Sequence, residues 1–345
     1  MNPPPPDNQT DFQVHPQLLL TREGERLVVM VKATFELDPA TGTFNLPEED
    51  FMRPLRFADV PWGEPDVSSV LYPADICPFK PGTDVFVVAK AFAPRNVATP
   101  TFDVLVNVGP LEKAVRVFGL RVWEANGAGL SAPRPVSEVE LRYENAWGGF
   151  DDSDPEAVVE EPRNPVGLGV ARNPADLTHR VAPCLEDPAV PIQNHRTRPP
   201  PASVGAIGRH WMPRRQYVGT YDDAWKETRA PLPPRDFDDR AYLCASPGLI
   251  ATPPLRGGEL VRLLGVVPNG GAVQFTVPIV GIELEFDVKD REPEIQRPFL
   301  DTLLIDTLIM TADRPLTLEL VWRGSIRPPR KLADAHVTVR EVQPS

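Results

Sequence analysis

Apolar and polar residues alternate with a period of two over several stretches of this chain, the mark of strands that turn one face to a core. Phe102 to Val108 alternates in this way, Gly109-Pro110 interrupts it, and Val115, Val117 and Trp123 carry it on, which predicts a hairpin. Arg26 to Leu37 is rich in β-branched and aromatic residues. Asp38-Pro39-Ala40-Thr41-Gly42 then puts proline and glycine at turn positions, which predicts a second hairpin. Glu259 to Val267, the turn Pro268-Asn269-Gly270-Gly271 and Ala272 to Val277 predict a third. Thr302 to Thr311 and Leu316 to Trp322, joined by Ala312-Asp313-Arg314-Pro315, predict a fourth. There Leu316, Leu318, Leu320 and Trp322 alternate with Thr317, Glu319 and Val321. A further strand is expected over Val136 to Tyr143, ending at Trp147-Gly148-Gly149.

Strands therefore fill an N-terminal block, 11–150, and a C-terminal block, 255–345, while 151–254 lacks the period. Proline explains the contrast. It accounts for 43 of 345 residues, more than twice the usual share of about 5%, and it withholds the amide that helix interiors and central strands need. The middle third also carries Trp211, Tyr217, Tyr221, Trp225, Phe237 and Tyr242. Each such ring can bury about 150–250 Å², so the segment reads as ordered loops wrapped over a sheet. One short helix is expected near 220–230, capped by Thr220 with Asp223 three residues on, sharing Tyr221, Trp225 and Arg229 on a face and ending at Pro231. The expected fold is mainly β: an antiparallel β-sandwich or two packed β subdomains in one compact unit, with a long proline-rich insertion and one or two short helices.

A net charge of −12 repels phosphate backbones and anionic headgroups, so neither nucleic acid nor a membrane surface is an expected partner. Met1 to Thr10 is polar, carries Pro3 to Pro6 and lacks the basic and apolar regions of a signal peptide. No window reaches the roughly 18 apolar residues of a membrane helix. Cys77, Cys184 and Cys244 are scattered without CxxC spacing, which fits a reducing compartment, and a cytoplasmic location is expected.

His15, His179, His195, His210 and His336 lie far apart, so no metal site is expected. Neither G-x-S-x-G nor a phosphate-binding G-x-x-x-x-G-K-[ST] loop occurs. Gly167-Leu168-Gly169-Val170-Ala171-Arg172 puts an arginine where a dinucleotide fingerprint needs its third glycine. With Asn164 and Pro165 it reads as a compact turn where backbones approach closely. No cofactor follows.

The densest polar constellation is Thr220-Tyr221-Asp222-Asp223-Ala224-Trp225, then Arg229 and Arg235-Asp236-Phe237-Asp238-Asp239-Arg240. Carboxylate pairs among aromatic rings suit glycoside hydrolysis, with Asp222, Asp236 or Asp238 as acid and base, or a glycan-binding face built on Trp211 and Trp225. The stronger reading is structural: Arg229, Arg235 and Arg240 nearly match the acids in number and can pin a proline-rich loop by ion pairs. An EF-hand is excluded by Arg240 at the third ligand position and by the absence of a loop glycine.

Taken in order, several short segments resemble a bacterial family of domains of unknown function, number 2169, encoded in type VI secretion clusters beside spike-tip and pentapeptide-repeat proteins. The carriers include Lys32-Ala33-Thr34-Phe35, Tyr72-Pro73-Ala74-Asp75, Lys80-Pro81-Gly82-Thr83-Asp84, Val117-Phe118-Gly119 with Arg121, and Leu141-Arg142-Tyr143 with Trp147-Gly148-Gly149. Further along come Asn164-Pro165-Val166-Gly167, Glu186-Asp187-Pro188, Gly219-Thr220-Tyr221-Asp222, Asp236-Phe237-Asp238 and Leu255-Arg256-Gly257. Leu120 and Trp147 depart from the family, standing where an acidic residue and a smaller aromatic are expected. The resemblance implies a non-catalytic adaptor or chaperone that binds a secretion effector and helps load it onto the spike, on a spike-tip PAAR-repeat or VgrG-like protein. It offers no catalytic residues to carry over. The candidate partner-binding surface is formed by Tyr221, Trp225, Arg229, Asp236 and Arg240.

Overall fold

The computed structural model describes residues 3–311 and 314–343, so Ala312 and Asp313 of the fourth expected turn lie outside the described residues. The longer strands are β1 (Gln13–Thr21), β2 (Gly24–Leu37), β3 (Thr83–Val88), β4 (Thr101–Val108), β5 (Leu111–Phe118) and β6 (Leu260–Leu264). They continue with β7 (Ala272–Thr276), β8 (Gly281–Val288), β9 (Leu300–Asp306), β10 (Thr317–Ile326) and β11 (Ala335–Val342).

The largest sheet runs β1-β2-β10-β9-β3, with Ile250–Ala251 at the β3 edge and Phe44–Asn45 paired to the end of β2. A second sheet runs Leu185–Glu186, β5, β4, β6, β7, and a third runs Asp7–Asn8, β11, β8, Glu294–Gln296. The fold is mainly β, as expected, but the largest sheet is mixed: β9 runs parallel to β3, with Thr302 opposite Asp84. Strands from both ends of the chain alternate within it, since β2 pairs with β10 through Lys32 and Val321.

Register fixes the faces. Val29, Val31, Ala33 and Phe35 of β2 share a side with Leu318, Leu320 and Trp322 of β10 and with Leu303 and Ile305 of β9. These join Val104, Val106, Val115, Val117 and Leu263 of the second sheet and Leu284, Phe286 and Val337 of the third in one apolar core.

The hairpin around Gly109-Pro110 forms with Leu111 opposite Val108, although Trp123 leaves it to pack on Trp147, Leu177, Ala182 and Ile192 in a smaller cluster. The hairpin after Leu37 is shorter than expected, because only Phe44–Asn45 returns; β1 and β10 are the main partners of β2. The third and fourth hairpins pair as expected, β6 with β7 and β9 with β10. The strand expected over Val136 to Tyr143 is reduced to Glu138–Glu140, and a 3-10 turn starts at Tyr143. The helix is Asp223–Thr228, and its cap is Asp222, whose side chain accepts from Trp225 N, rather than Thr220. Thr220 is held instead by Asp236.

In the middle third, Trp211 and Phe237 are buried, so these loops carry their own packing. Asn164 anchors the close approach expected there, donating from Nδ2 to Tyr143 O (2.8 Å) and Trp147 O (3.0 Å). Gly149 sits at φ 100°, and a Cβ on Gly148 would overlap the Asn164 carbonyl, so both positions require glycine.

Candidate functional site

The polar side of the largest sheet is not wet. Lys32, Thr34, Glu319, Thr302, Asp306 and Asp84 occupy the face opposite the apolar core, and all are buried. The alternation along β10 therefore marks two covered faces, one apolar and one ionic. The cover comes from the chain around 53–80 and from the segment at Cys244. Lys32 Nζ bonds Asp75 (2.9 Å), Glu319 (2.8 Å) and Pro54 O (3.0 Å). Arg56 pairs with the other oxygen of Glu319 and lies over the Tyr72 ring, whose hydroxyl donates to Asp306 (2.7 Å). Lys80 Nζ meets Asp84 (2.7 Å), and the Asp84 carboxylate also accepts from Cys244 N (3.1 Å) and Ala245 N (2.9 Å). Arg323 pairs with Asp301 and donates to Asp75 O (3.0 Å) and Cys77 O (2.9 Å).

Burial raises the Glu319 carboxyl, but Lys32 and Arg56 outweigh it, and it ends below the ordinary Glu value. Burial likewise lowers Lys80, but Asp84 outweighs it and its pKa ends raised. The opposite charges offset the cost of one another's burial, so the network clamps the covering loops to the sheet. The family-like segments Lys32-Ala33-Thr34-Phe35, Tyr72 to Asp75 and Lys80 to Asp84 supply much of this clamp.

The five candidate partner-binding residues gather only in part. Tyr221, 53% exposed, packs edge-on against Trp225 at 4.6 Å, and the Trp225 indole donates to Leu232 O (2.9 Å). Arg229 pairs with no carboxylate among the described residues; it donates to Pro233 O (3.0 Å) and Arg22 O and so ties the helix to the β1–β2 turn. Asp236 accepts from Thr220 N (3.1 Å) and Oγ1 (2.8 Å), which holds its carboxyl below the usual range. Arg240 grips Asp238 with two nitrogens and stacks on Tyr217 at 4.3 Å. The expected arginine–acid pairing thus reduces to Arg240 with Asp238, and main-chain carbonyls take Arg229. Trp211 is buried edge-on against Tyr143 at 5.4 Å.

A polar group that alternation alone would have flagged lies on β5. Lys113 Nζ donates to Ser246 Oγ (2.6 Å) and Pro247 O (2.7 Å), and the Tyr143 hydroxyl donates to Ser246 Oγ (3.0 Å). A serine beside a lysine and a tyrosine has the makings of a nucleophile. Here Ser246 is fully buried and its own hydroxyl donates to Ser203 O (2.8 Å), so its oxygen is turned into the fold. Separately, Val67, Phe150 and Val158, exposed by 70%, 56% and 53%, rim an open groove of about 910 Å³ that also includes Arg209, His210 and Arg215. Among the described residues no group of three or more His, Cys, Asp or Glu is arranged to hold a metal ion. No helix among them is long and apolar enough to cross a membrane.

The model of the family described as "Uncharacterized protein conserved in bacteria (DUF2169)" matches residues 22–323. No curated protein and no solved structure matches the chain.

Proposed function

Because the chain belongs to the bacterial DUF2169 family, we propose that it is a non-catalytic adaptor of the cytoplasm that binds a type VI secretion effector and helps seat it on the spike tip. The observation that carries the binding role is the groove rimmed by Val67, Phe150 and Val158. Large side chains left in water around one concavity are the usual mark of a surface that a protein partner covers. The interior supports the same reading, because Lys32, Asp75, Glu319, Lys80 and Asp84 are spent on one another. The secretion role is supported by the resemblance to a family encoded beside spike-tip and pentapeptide-repeat proteins. Trp211 packs edge-on against Tyr143 and is largely buried at the groove wall, and Asp222, Asp236 and Asp238 are engaged by a helix cap, by Thr220 and by Arg240.

Co-expression with the flanking gene products, followed by pull-down, tests this. A stable complex with an effector or spike protein, lost in Phe150→Asp while the variant keeps its melting temperature, is the expected result. Failure of every flanking product to co-purify refutes the adaptor role.

A further inference from the structure

Along β5, Leu111, Lys113, Val115 and Val117 stand opposite Val108, Val106, Val104 and Phe102, on the face that packs into the core. Lys113 is the charged member of an otherwise apolar row. It uses two of the ammonium's three donors on Ser246 and Pro247 and forms no ion pair among the described residues.

The same stretch is an open sheet edge. Phe118 N donates to Cys184 O (2.8 Å), away from β4, and the alternation of an antiparallel ladder turns the main-chain groups of Arg116, Ala114 and Glu112 the same way. The strand Leu185–Glu186 covers only Arg116 and Val117. Beside Glu112–Ala114 lies a pocket of about 490 Å³ whose walls include Pro188, Pro201, Ala202, Ile207 and Met212.

An open edge, an apolar pocket and a cation lacking a carboxylate thus coincide. We propose that an extended segment of a partner polypeptide adds as a strand along Glu112–Ala114, turns an Asp or Glu side chain to Lys113, and fills the pocket with apolar side chains two residues to either side. This rests on the protein-binding role proposed above and specifies the chemistry of one partner contact.

The other charges at the pocket set the selectivity. Glu112 and Asp187 line it and repel an acid, Arg163 is engaged by Glu161, and burial pushes the Tyr143 hydroxyl up to about 12. Lys113 alone then favours a carboxylate over an amide. Burial pushes its ammonium down to about 8, against the pull of Asp187. A bound carboxylate favours the charged amine, so association takes up a proton above pH 8 and weakens as the pH rises further.

The test is a panel of acetylated, amidated eight-residue peptides with valine at alternate positions and threonine between, in which Glu, Gln or Lys replaces each valine in turn, titrated calorimetrically into the full chain. At least one Glu member binds, with its Gln counterpart at least about tenfold weaker, and the Glu preference disappears in a folded Lys113→Met variant. Amide exchange at Glu112 and Ala114 slows in that complex. The inference is overturned if no member binds, if Glu and Gln peptides bind alike, or if Lys113→Met keeps the preference. A flanking partner that co-purifies equally with wild type and Lys113→Met removes this edge as its contact and leaves the adaptor role intact.

Discussion

Replacing Lys32 by methionine probes the ionic face directly, because the side chain is fully buried and of similar length. Its Nζ sits 2.9 Å from Asp75 and 2.8 Å from Glu319. At an effective dielectric constant of about 20, each contact carries roughly 6 kcal/mol of attraction, most of it offset by the desolvation of three charges. Removing the cation leaves that desolvation cost without its compensation. Arg56 stays close to both acids, with Nη1 at 3.9 Å from Asp75, which limits the loss to about 3–5 kcal/mol. Unfolding entropy of about 2.1 cal/mol/K per residue gives about 0.7 kcal/mol/K for a chain of 345 residues. Differential scanning calorimetry at pH 7 should then show Tm lowered by about 4–7 °C. A Lys32→Met, Glu319→Leu double variant, which leaves Arg56 with Asp75, should be less stable than wild type by about 1–3 kcal/mol less than the sum of the two single losses. Because the Glu319 carboxyl is depressed in the folded chain, its contribution is present above the ordinary value of 4.5 and lost as the pH falls through the folded value. The gap between wild type and Lys32→Met should therefore narrow in acid below about pH 4.5. An unchanged Tm for Lys32→Met, or a double variant that loses the full sum, refutes the clamp.

Lys113 carries the opposite signature: with its folded value pushed down to about 8 from 10.5, the unfolded chain binds more protons between these values. Urea unfolding should show wild type gaining about 3 kcal/mol relative to Lys113→Met between pH 7 and 10.5, and a pH-independent difference contradicts the burial of that amine. Trp225→Ala with Arg229→Ala removes the ring under Tyr221 and the tie to Arg22 O, and in a still-folded chain it should abolish co-purification of the partner. Unchanged co-purification excludes the helix from the partner surface. Gly148→Ala, which forces a Cβ onto the Asn164 carbonyl, should cost about 3 kcal/mol by chemical denaturation, whereas a neutral outcome would mean that the Asn164 turn gives way.

What was legible in the sequence was what local chemistry decides. Gly109-Pro110 marked the β4–β5 turn, Asn269-Gly270 the β6–β7 turn, and Asn164 with Gly167 the close approach to Gly148. Legibility failed where a residue's surroundings come from far along the chain. Thr317 and Glu319 alternate with leucines as solvent-facing residues do, yet segments more than 200 residues away bring Arg56, Tyr72 and Asp75 over them. The helix cap went to Asp222 because Asp236, sixteen residues on, claims Thr220. The expected pairing of arginines with local acids forms only in part for a related reason: Arg240 meets Asp238, but Arg229 is drawn to carbonyls at Arg22 and Pro233.

Lys113 shows how a departure from the alternation can carry more information than the alternation itself. In Leu111-Glu112-Lys113-Ala114-Val115-Arg116-Val117 the odd positions face the core, and a lysine among them is a local rule broken. Lys32 keeps to the alternation of β2, standing with Thr34 on the face opposite the apolar row, and there Asp75 and Glu319 cover it as ion-pair partners. Among the described residues Lys113 forms no ion pair, with Asp187 acting on it only from a distance; a serine and a carbonyl take two of its donors, and Leu185–Glu186 pairs only with Arg116 and Val117 along that edge. The two strand lysines thus divide by their partners: Lys32, with two carboxylates, clamps the loops to the sheet, and Lys113, held by a hydroxyl and a carbonyl, has a carboxylate to gain from another chain.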